Sequence, residues 1–245
     1  MLFSVITITY NAAGVIAPTL RSVAGQTFTD FEHLIQDGGS TDATLDLCRA
    51  DATPGQSIVS GRDGGIYDAM NRAMARAKGD YLIFLNAGDA FPSADTLRRY
   101  ADAIAAGGRP GIVYGQTTLV DADRREIGPR HLTAPQQLTL RSFARGMLVC
   151  HQAMAVKRSI APEYDTRYRL SSDYDWVIRC LKRSSHNLYT GCVTALYLRE
   201  GATTAHRRRS LTERFRIMCR HYGALPTICR HLGFALRALR RRSLS

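Results

Sequence analysis

Apolar and polar positions along this chain switch between two periods. Phe3-Ser4-Val5-Ile6-Thr7-Ile8-Thr9 is a run rich in β-branched residues, the composition of a buried strand, and it ends on Tyr10-Asn11. Val15 to Ala24 then carries apolar residues at helical spacing, and His33-Leu34-Ile35-Gln36 is a second short strand running into Asp37-Gly38-Gly39-Ser40-Thr41-Asp42. Strand, helix and strand in this order form a βαβ unit whose strands lie parallel. A helix over Ala43 to Ala50, with Ser40, Thr41 or Asp42 as its cap, and a strand over Ser57 to Ser60 follow. Ile66 to Lys78 shows one apolar helical face, with Gly79 expected as its C-cap. Tyr81 to Leu85 is apolar throughout, which predicts a central strand covered on both faces.

The second half reads less sharply. Thr96 to Ala106 is a predicted helix, Ile112 to Val120 a strand and Asp121-Ala122-Asp123 a turn. Leu138 to Phe143 starts a loop or short helix, and Cys150 to Val156 reads as a strand carrying His151-Gln152. Ser171-Ser172-Asp173 caps a helix running through Leu181, and Thr194 to Leu198 is a last strand.

Three acids stand just after predicted strands: Asp37, Asp63 and Asp89. Ligands of open α/β sheets bind beyond the carboxyl ends of the strands. A parallel sheet is expected to gather these ends on one edge. Clustered carboxylates repel one another, so the group suits a cation or the hydrogen-bond donors of a ligand. The turn Asn86-Ala87-Gly88-Asp89 offers oxygen ligands to a hard divalent ion, which would hold a diphosphate.

With 245 residues, the chain is long enough for one domain with an appendage. Its formal net charge of +12 is unevenly placed. From His206 to Ser245 there are 11 arginines and one acid, Glu213, a net +10, so the rest of the chain is nearly neutral at +2. A domain over 1–205 and a basic tail over 206–245 are the expected division. Met1 leads directly into a strand without a signal sequence, and the six scattered cysteines form no CxxC pair. Both features predict a cytoplasmic protein with free thiols and no zinc site.

The motifs SVITITYN (Ser4–Asn11), QDGGSTD (Gln36–Asp42), DGGIYDAMNRAMARAKGDYLIFLNAGD (Asp63–Asp89), CHQAM (Cys150–Met154) and SSDYDW (Ser171–Trp176) together resemble the family 2 glycosyltransferases, in the branch that builds bacterial surface polysaccharides. The resemblance covers roughly Leu2 to Arg199 and implies the α/β GT-A fold: a Rossmann-like, mostly parallel central sheet with flanking helices, here followed by a basic C-terminal helical tail. It implies an inverting transfer from a nucleotide-diphosphate sugar, UDP-sugar favoured, to a hydroxyl of a lipid-linked glycan. Thr9, Tyr10, Asn11, Asp37, Asp63 and Asn71 would hold the nucleotide. Asp89 would bind Mn2+ or Mg2+, although Asn86 and Gly88 stand where many members carry further acids. Asp173 would be the catalytic base, in a Ser172-Asp173 pair where Glu-Asp is common, and His151 and Gln152 would line the acceptor side. A sugar-nucleotide-binding subunit without turnover and a nucleotidyltransferase are the alternatives. The latter would normally show a basic phosphate loop near the start, whereas Thr9 to Ala13 holds no Lys or Arg.

In the tail, Ile228, Leu232, Ala235, Leu236 and Leu239 share one helical face, with Arg230, Arg237 and Arg241 opposite. A basic amphipathic helix points to an anionic membrane surface and a peripheral location on the inner face of the cytoplasmic membrane. The competing expectation is a basic helix packed on the domain. Sparse aromatic residues and the lack of a nucleic-acid motif argue against nucleic acid as a partner.

Overall fold

The computed structural model describes residues 1–50, 52, 54–199 and 207–232. Its sheet is built outward from β1 (Phe3–Thr9), which is buried at every position. β2 (Phe31–Asp37) and β4 (Tyr81–Phe84) flank it in parallel, and β3 (Gln56–Ser60) adds in parallel to β2. β5 (Ile112–Val120) lies beyond β7 (Met154–Lys157), which is antiparallel to both β4 and β5. β6 (Glu126–Pro129) returns antiparallel along the end of β5, and β8 (Asn187–Leu198) runs parallel to it. The order is β3-β2-β1-β4-β7-β5-β6, with β8 on β5. This is the expected α/β sheet, parallel where the nucleotide motifs lie.

Side-chain alternation divides the core into two layers. Phe3 and Val5 of β1 and Tyr81 and Ile83 of β4 meet α4 (Thr96–Ala106) through Leu97, Tyr100 and Ile104. Ile6, Ile8, Leu82 and Phe84 face the other way, onto α3 (Ile66–Arg76) and α6 (Ser172–Arg183), whose Trp176 is fully buried. Both faces of β4 are therefore covered, as its uninterrupted apolar run requires. α1 (Ile16–Ala24) and α2 (Thr44–Ala50) close a smaller cluster over Ile35.

Several sequence expectations are corrected. α3 ends at Arg76 and Ala77 is already extended, so Gly79 is not its C-cap. Gly79 is instead pressed against β1, where a Cβ would lie 2.4 Å from the Phe3 carbonyl carbon and the Ser4 nitrogen. Its N–H donates to Ser4 Oγ, which donates to Glu32 Oε1, and Glu32 also accepts the Lys78 N–H. The strand expected over Cys150 to Val156 begins only at Met154, because His151–Ala153 forms a 3-10 turn. β8 starts at Asn187 rather than Thr194. Gly191 stands at φ 75°, and the register against β5 shifts as the strand continues past it. β6 is an addition, and α5 (Leu140–Phe143) is a short helix closed by a Thr139–Ser142 capping box.

In the tail, α7 (Arg207–Tyr222) lays Ile217 and Met218 into the core that contains Trp176. Residues 224–232 are also helical. The expected stripe members Ala235, Leu236, Leu239, Arg237 and Arg241 lie outside the described residues.

Candidate active site

The parallel register brings Thr9 beside Asp37 and Asp37 beside Ser60, so three strands deliver their ends to one edge. A cleft of about 750 Å3 opens there, lined by Thr9, Tyr10, Asp63, Asn86 and the guanidinium-bearing Arg62 and Arg169 among others. Tyr10 is 64% exposed on its rim. Gly38 forms part of the wall, where a Cβ would come within 3.0 Å of Asp63 Oδ2 and 3.3 Å of the Tyr10 ring. A side chain at that position would fill the place where Tyr10 and Asp63 converge.

Asp37 organises this edge from within. Its Oδ2 accepts the N–H groups of Gly39 (3.0 Å) and Ser40 (2.9 Å) and the Ser60 hydroxyl (2.6 Å), and its Oδ1 accepts the Ser40 hydroxyl. Burial alone would raise its pKa, but these hydroxyl and N–H donors outweigh it and hold the carboxyl below its usual range. Asn11, at φ 46°, accepts the Thr41 N–H at Oδ1 and gives its own N–H to Ser40 Oγ. Asp37 and Asn11 thus fix the 38–41 turn, while Thr9 Oγ1 stands buried without a partner beside the cleft. Asn71 is placed otherwise than expected. Its side chain accepts the Tyr164 N–H and donates to the Tyr164 carbonyl, clamping the loop that precedes α6 rather than lining the cleft.

Asp173 sits in the first turn of α6. Its Oδ1 accepts the Tyr67 hydroxyl at 3.2 Å and the Tyr174 N–H at 2.9 Å. His151 Nδ1 approaches Oδ2 at 3.7 Å, and both ring nitrogens of this buried histidine lack a hydrogen-bond partner. Burial pushes the Asp173 pKa up, but His151, Arg214 and the Tyr174 N–H prevail, so the net shift is downward. Ile66 lines the cleft and the next residue, Tyr67, bonds to Asp173, so the carboxylate is linked to the cleft wall through Tyr67 without lining it. An aromatic stack supports it: Tyr67 on Tyr164, Tyr164 on Trp176, with Phe84 edge-on to Tyr164, Trp176 and His151.

Asp89 does not join Asp37 and Asp63. Among the described residues no three His, Cys, Asp or Glu side chains are grouped to hold a metal. The reason is geometric: β1 stands between β2 and β4, and the turn at Gly88 (φ 97°) aims Asp89 away toward β8 and the 3-10 turn. Its Oδ1 accepts the Leu198 N–H and its Oδ2 accepts Gln152 Nε2, which places Gln152 beside it as a direct partner. Burial raises its pKa to about 6. Asn86 Oδ1, on the cleft, is buried without a donor. Both Asp89 oxygens are taken by Leu198 and Gln152, and Asp89 does not line the cleft that Asn86 faces, so the described residues do not fit a Mg2+- or Mn2+-type ion at Asp89 as arranged here.

Sequence reasoning missed four residues. Tyr67 lay inside a quoted motif without a role. Arg169 stands two positions before the SSDYDW motif, with Leu170 between them. Arg124, at φ 67° in the β5–β6 turn, donates to the Gly88 carbonyl. Glu213 of α7 binds the backbone of residues 169 and 170, and its one signal was being the lone acid among 11 arginines.

The comparisons with known proteins agree with this geometry. Residues 4–164 match the glycosyl transferase family 2 profile. A PGL/p-HBAD biosynthesis glycosyltransferase from Mycobacterium bovis (strain BCG / Pasteur 1173P2) is 40% identical over 186 residues, covering 73% of this chain and 69% of the relative. The amylovoran biosynthesis glycosyltransferase AmsB from Erwinia amylovora is 28% identical over 197 residues, covering 74% of this chain and 64% of AmsB. S. aureus TarS 1-349 in complex with UDP shares the fold with a TM-score of 0.71 at 18% identity, covering 90% of this chain, which spans 65% of that fragment. The mannosyltransferase PcManGT from Pyrobaculum calidifontis, in complex with GDP-Man and Mn2+, gives a TM-score of 0.66 at 20% identity over 96% of this chain and 75% of its own. No helix among the described residues is long and apolar enough to cross a membrane. A match that runs from β1 to the loop before α6, on a sheet shared with solved sugar-nucleotide complexes, makes this chain a member of glycosyl transferase family 2.

Proposed function

We propose that the chain transfers a hexosyl or N-acetylhexosaminyl group from a UDP-sugar to a hydroxyl of a lipid-linked glycan, with inversion at the anomeric carbon. The observation that carries this reading is the Asp173 carboxylate, bonded to Tyr67, whose neighbour Ile66 lines the cleft that holds Asp63 and Arg169. In the proposed reaction Asp173 takes the proton of the acceptor hydroxyl as that oxygen attacks the anomeric carbon. The bond from that carbon to the diphosphate breaks, and the nucleoside diphosphate leaves with the electron pair. The sugar passes through a state of oxocarbenium character.

The nucleotide would lie along Thr9, Tyr10 and Asp63, with Asn11 and Asp37 holding the turn that shapes its wall. Arg62 and Arg169 stand where the diphosphate would lie and would offset its charge. Gln152 keeps Asp89 oriented, and His151 keeps Asp173 ionised and faces the acceptor side. By their names, the relatives above are PGL/p-HBAD and amylovoran biosynthesis glycosyltransferases, which supports a glycosyl transfer in the assembly of a larger glycoconjugate. A nucleotidyltransferase finds no support in this family.

The test is a panel of nucleoside-diphosphate sugars with release of the free diphosphate as readout. Asp173→Asn should keep UDP affinity and lose transfer by about 10²-fold or more. Near-normal turnover in that variant would place the base elsewhere. Binding of UDP-sugars without any turnover would turn the reading toward a sugar-nucleotide-binding subunit.

A further inference from the structure

The turn that follows β4, Asn86 to Asp89, is closed by its own neighbours. Asp89 Oδ1 accepts the Leu198 N–H at 3.1 Å and Oδ2 accepts Gln152 Nε2 at 3.0 Å. The Asp89 carbonyl accepts the Thr19 hydroxyl at 2.6 Å, and the Asn86 carbonyl accepts the Asp89 N–H. Arg124 Nη1 donates to the Gly88 carbonyl, so a fixed cation already stands at the turn. Position 88 has no room for a carboxylate: its φ is 97°, and a Cβ there would lie 2.9 Å from Leu198 Cδ2. Asn86 Oδ1 is buried on the cleft without a donor, but one amide oxygen does not replace the carboxylates that a Mg2+- or Mn2+-type ion takes.

The cleft offers positive charge elsewhere. Arg62 lies in the turn after β3 and Arg169 in the loop before α6, and both line the cleft. Both are exposed, and among the described residues neither side chain has an ion-pair partner. Glu213 accepts the Arg169 N–H at 3.2 Å, which anchors the loop that carries this guanidinium. Asp63 is the one acid among the lining residues, and its Oδ1 is engaged by the Gly65 N–H at 2.8 Å. A leaving diphosphate gains negative charge as its bond to the anomeric carbon breaks. Guanidinium forks match phosphate oxygens in pairs and stay ionised throughout.

We propose that Arg62 and Arg169 carry the charge of the leaving nucleoside diphosphate in this chain without a divalent ion, and that Asp89 ties its turn to β8 and to Gln152 instead of holding one. This rests on the proposed function in taking the cleft as the seat of a nucleoside-diphosphate sugar.

The experiment is calorimetry of UDP and of uridine on the full chain, in EDTA and in excess Mn2+. UDP should bind with the same affinity in both buffers. Arg62→Gln and Arg169→Gln should each weaken UDP by about 10-fold or more and leave uridine affinity unchanged. Both positions are exposed, and the melting temperature verifies that the variants fold. UDP binding that requires Mn2+ and is lost in EDTA overturns the proposal and leaves the proposed function standing. Unaltered UDP affinity in both variants overturns it too, as does a loss that falls equally on uridine. Failure of UDP and uridine to bind in either buffer overturns the proposed function itself, and this inference with it.

Discussion

The Glu213 carboxylate, on α7, accepts the backbone N–H of Leu170 at 2.8 Å, three residues before the proposed base Asp173. Its other oxygen accepts the N–H of Arg169, a residue of the cleft wall. Ser171 bonds to Ser210 of the same helix, and Arg220 reaches Asp165 at the other end of the loop. The C-terminal helix therefore holds the segment that delivers both a cleft cation and the base.

Glu213→Ala leaves two N–H groups without their acceptor. The expected loss is about 2 kcal/mol or more of folding stability. Because the segment shifts, kcat should fall by about 10- to 100-fold, with UDP affinity also reduced through Arg169. Glu213→Gln keeps one acceptor oxygen and should recover part of both. Urea unfolding and a separation of kcat from KM are the measurements. Unchanged kcat in a destabilised Glu213→Ala would reduce Glu213 to a purely structural residue. By the same argument, truncation before Ser210 should unfold the loop rather than release an intact domain.

Two buried groups oppose each other in acid. Burial raises the Asp89 pKa to about 6, so the stability tied to its neutral form is present below about 4 and is lost as pH rises through about 6. Burial lowers the His33 pKa to about 4, so the stability tied to its neutral form is present above about 6.5 and is lost as pH falls toward about 4. Each amounts to roughly 3 kcal/mol, and the two nearly cancel in wild type. Asp89→Asn should expose the His33 slope: melting temperature rising with pH from about 4 to 6.5, and a more stable apo protein than wild type at pH 7. Thermal scans across that range decide it; a flat profile in Asp89→Asn contradicts the assignment.

Tyr67→Phe removes one donor to the ionised form of Asp173, so the carboxyl pKa should rise. The acid limb of the kcat/KM profile should move to higher pH, with folding stability falling by only about 1 kcal/mol. A limb that stays in place would separate Tyr67 from the base.

Gly79→Ala would drive a Cβ into the backbone of β1. The strand pair β1–β4 must then separate or the 77–80 link must move, at an expected cost of about 2 kcal/mol or more. Chemical denaturation measures it. A substitution tolerated within about 0.5 kcal/mol would mean that the link is free to shift.

The parallel half of the fold was legible because β1 is rich in β-branched residues, β2 carries Leu34-Ile35 and β4 is apolar throughout, and all three end near polar turns. Local pattern also carried α3, α4 and α6. It failed where tertiary pairing overrode it: at Asn187 to Val193, which pair with β5 ahead of the expected strand, and at His151, where a 3-10 turn replaces strand. The placement of Asp89 was hidden for the same reason, since its direction is set by Leu198, more than 100 residues away in sequence. Glu213 was visible only as an exception in a basic stretch, because its partners are backbone groups that no side-chain pattern records.

Trp176 is the chain's one tryptophan, fully buried, with its indole N–H bound to the Pro162 carbonyl. Its ring stacks on Tyr164 at 4.9 Å, and Tyr164 stacks on Tyr67 at 5.5 Å, whose hydroxyl meets Asp173. The protein thus contains a single tryptophan fluorophore in a ring column that ends at the proposed base. Donor binding, acceptor binding or undocking of α7 that disturbs this column would be registered in the emission of one residue, with no background from another tryptophan and no label attached.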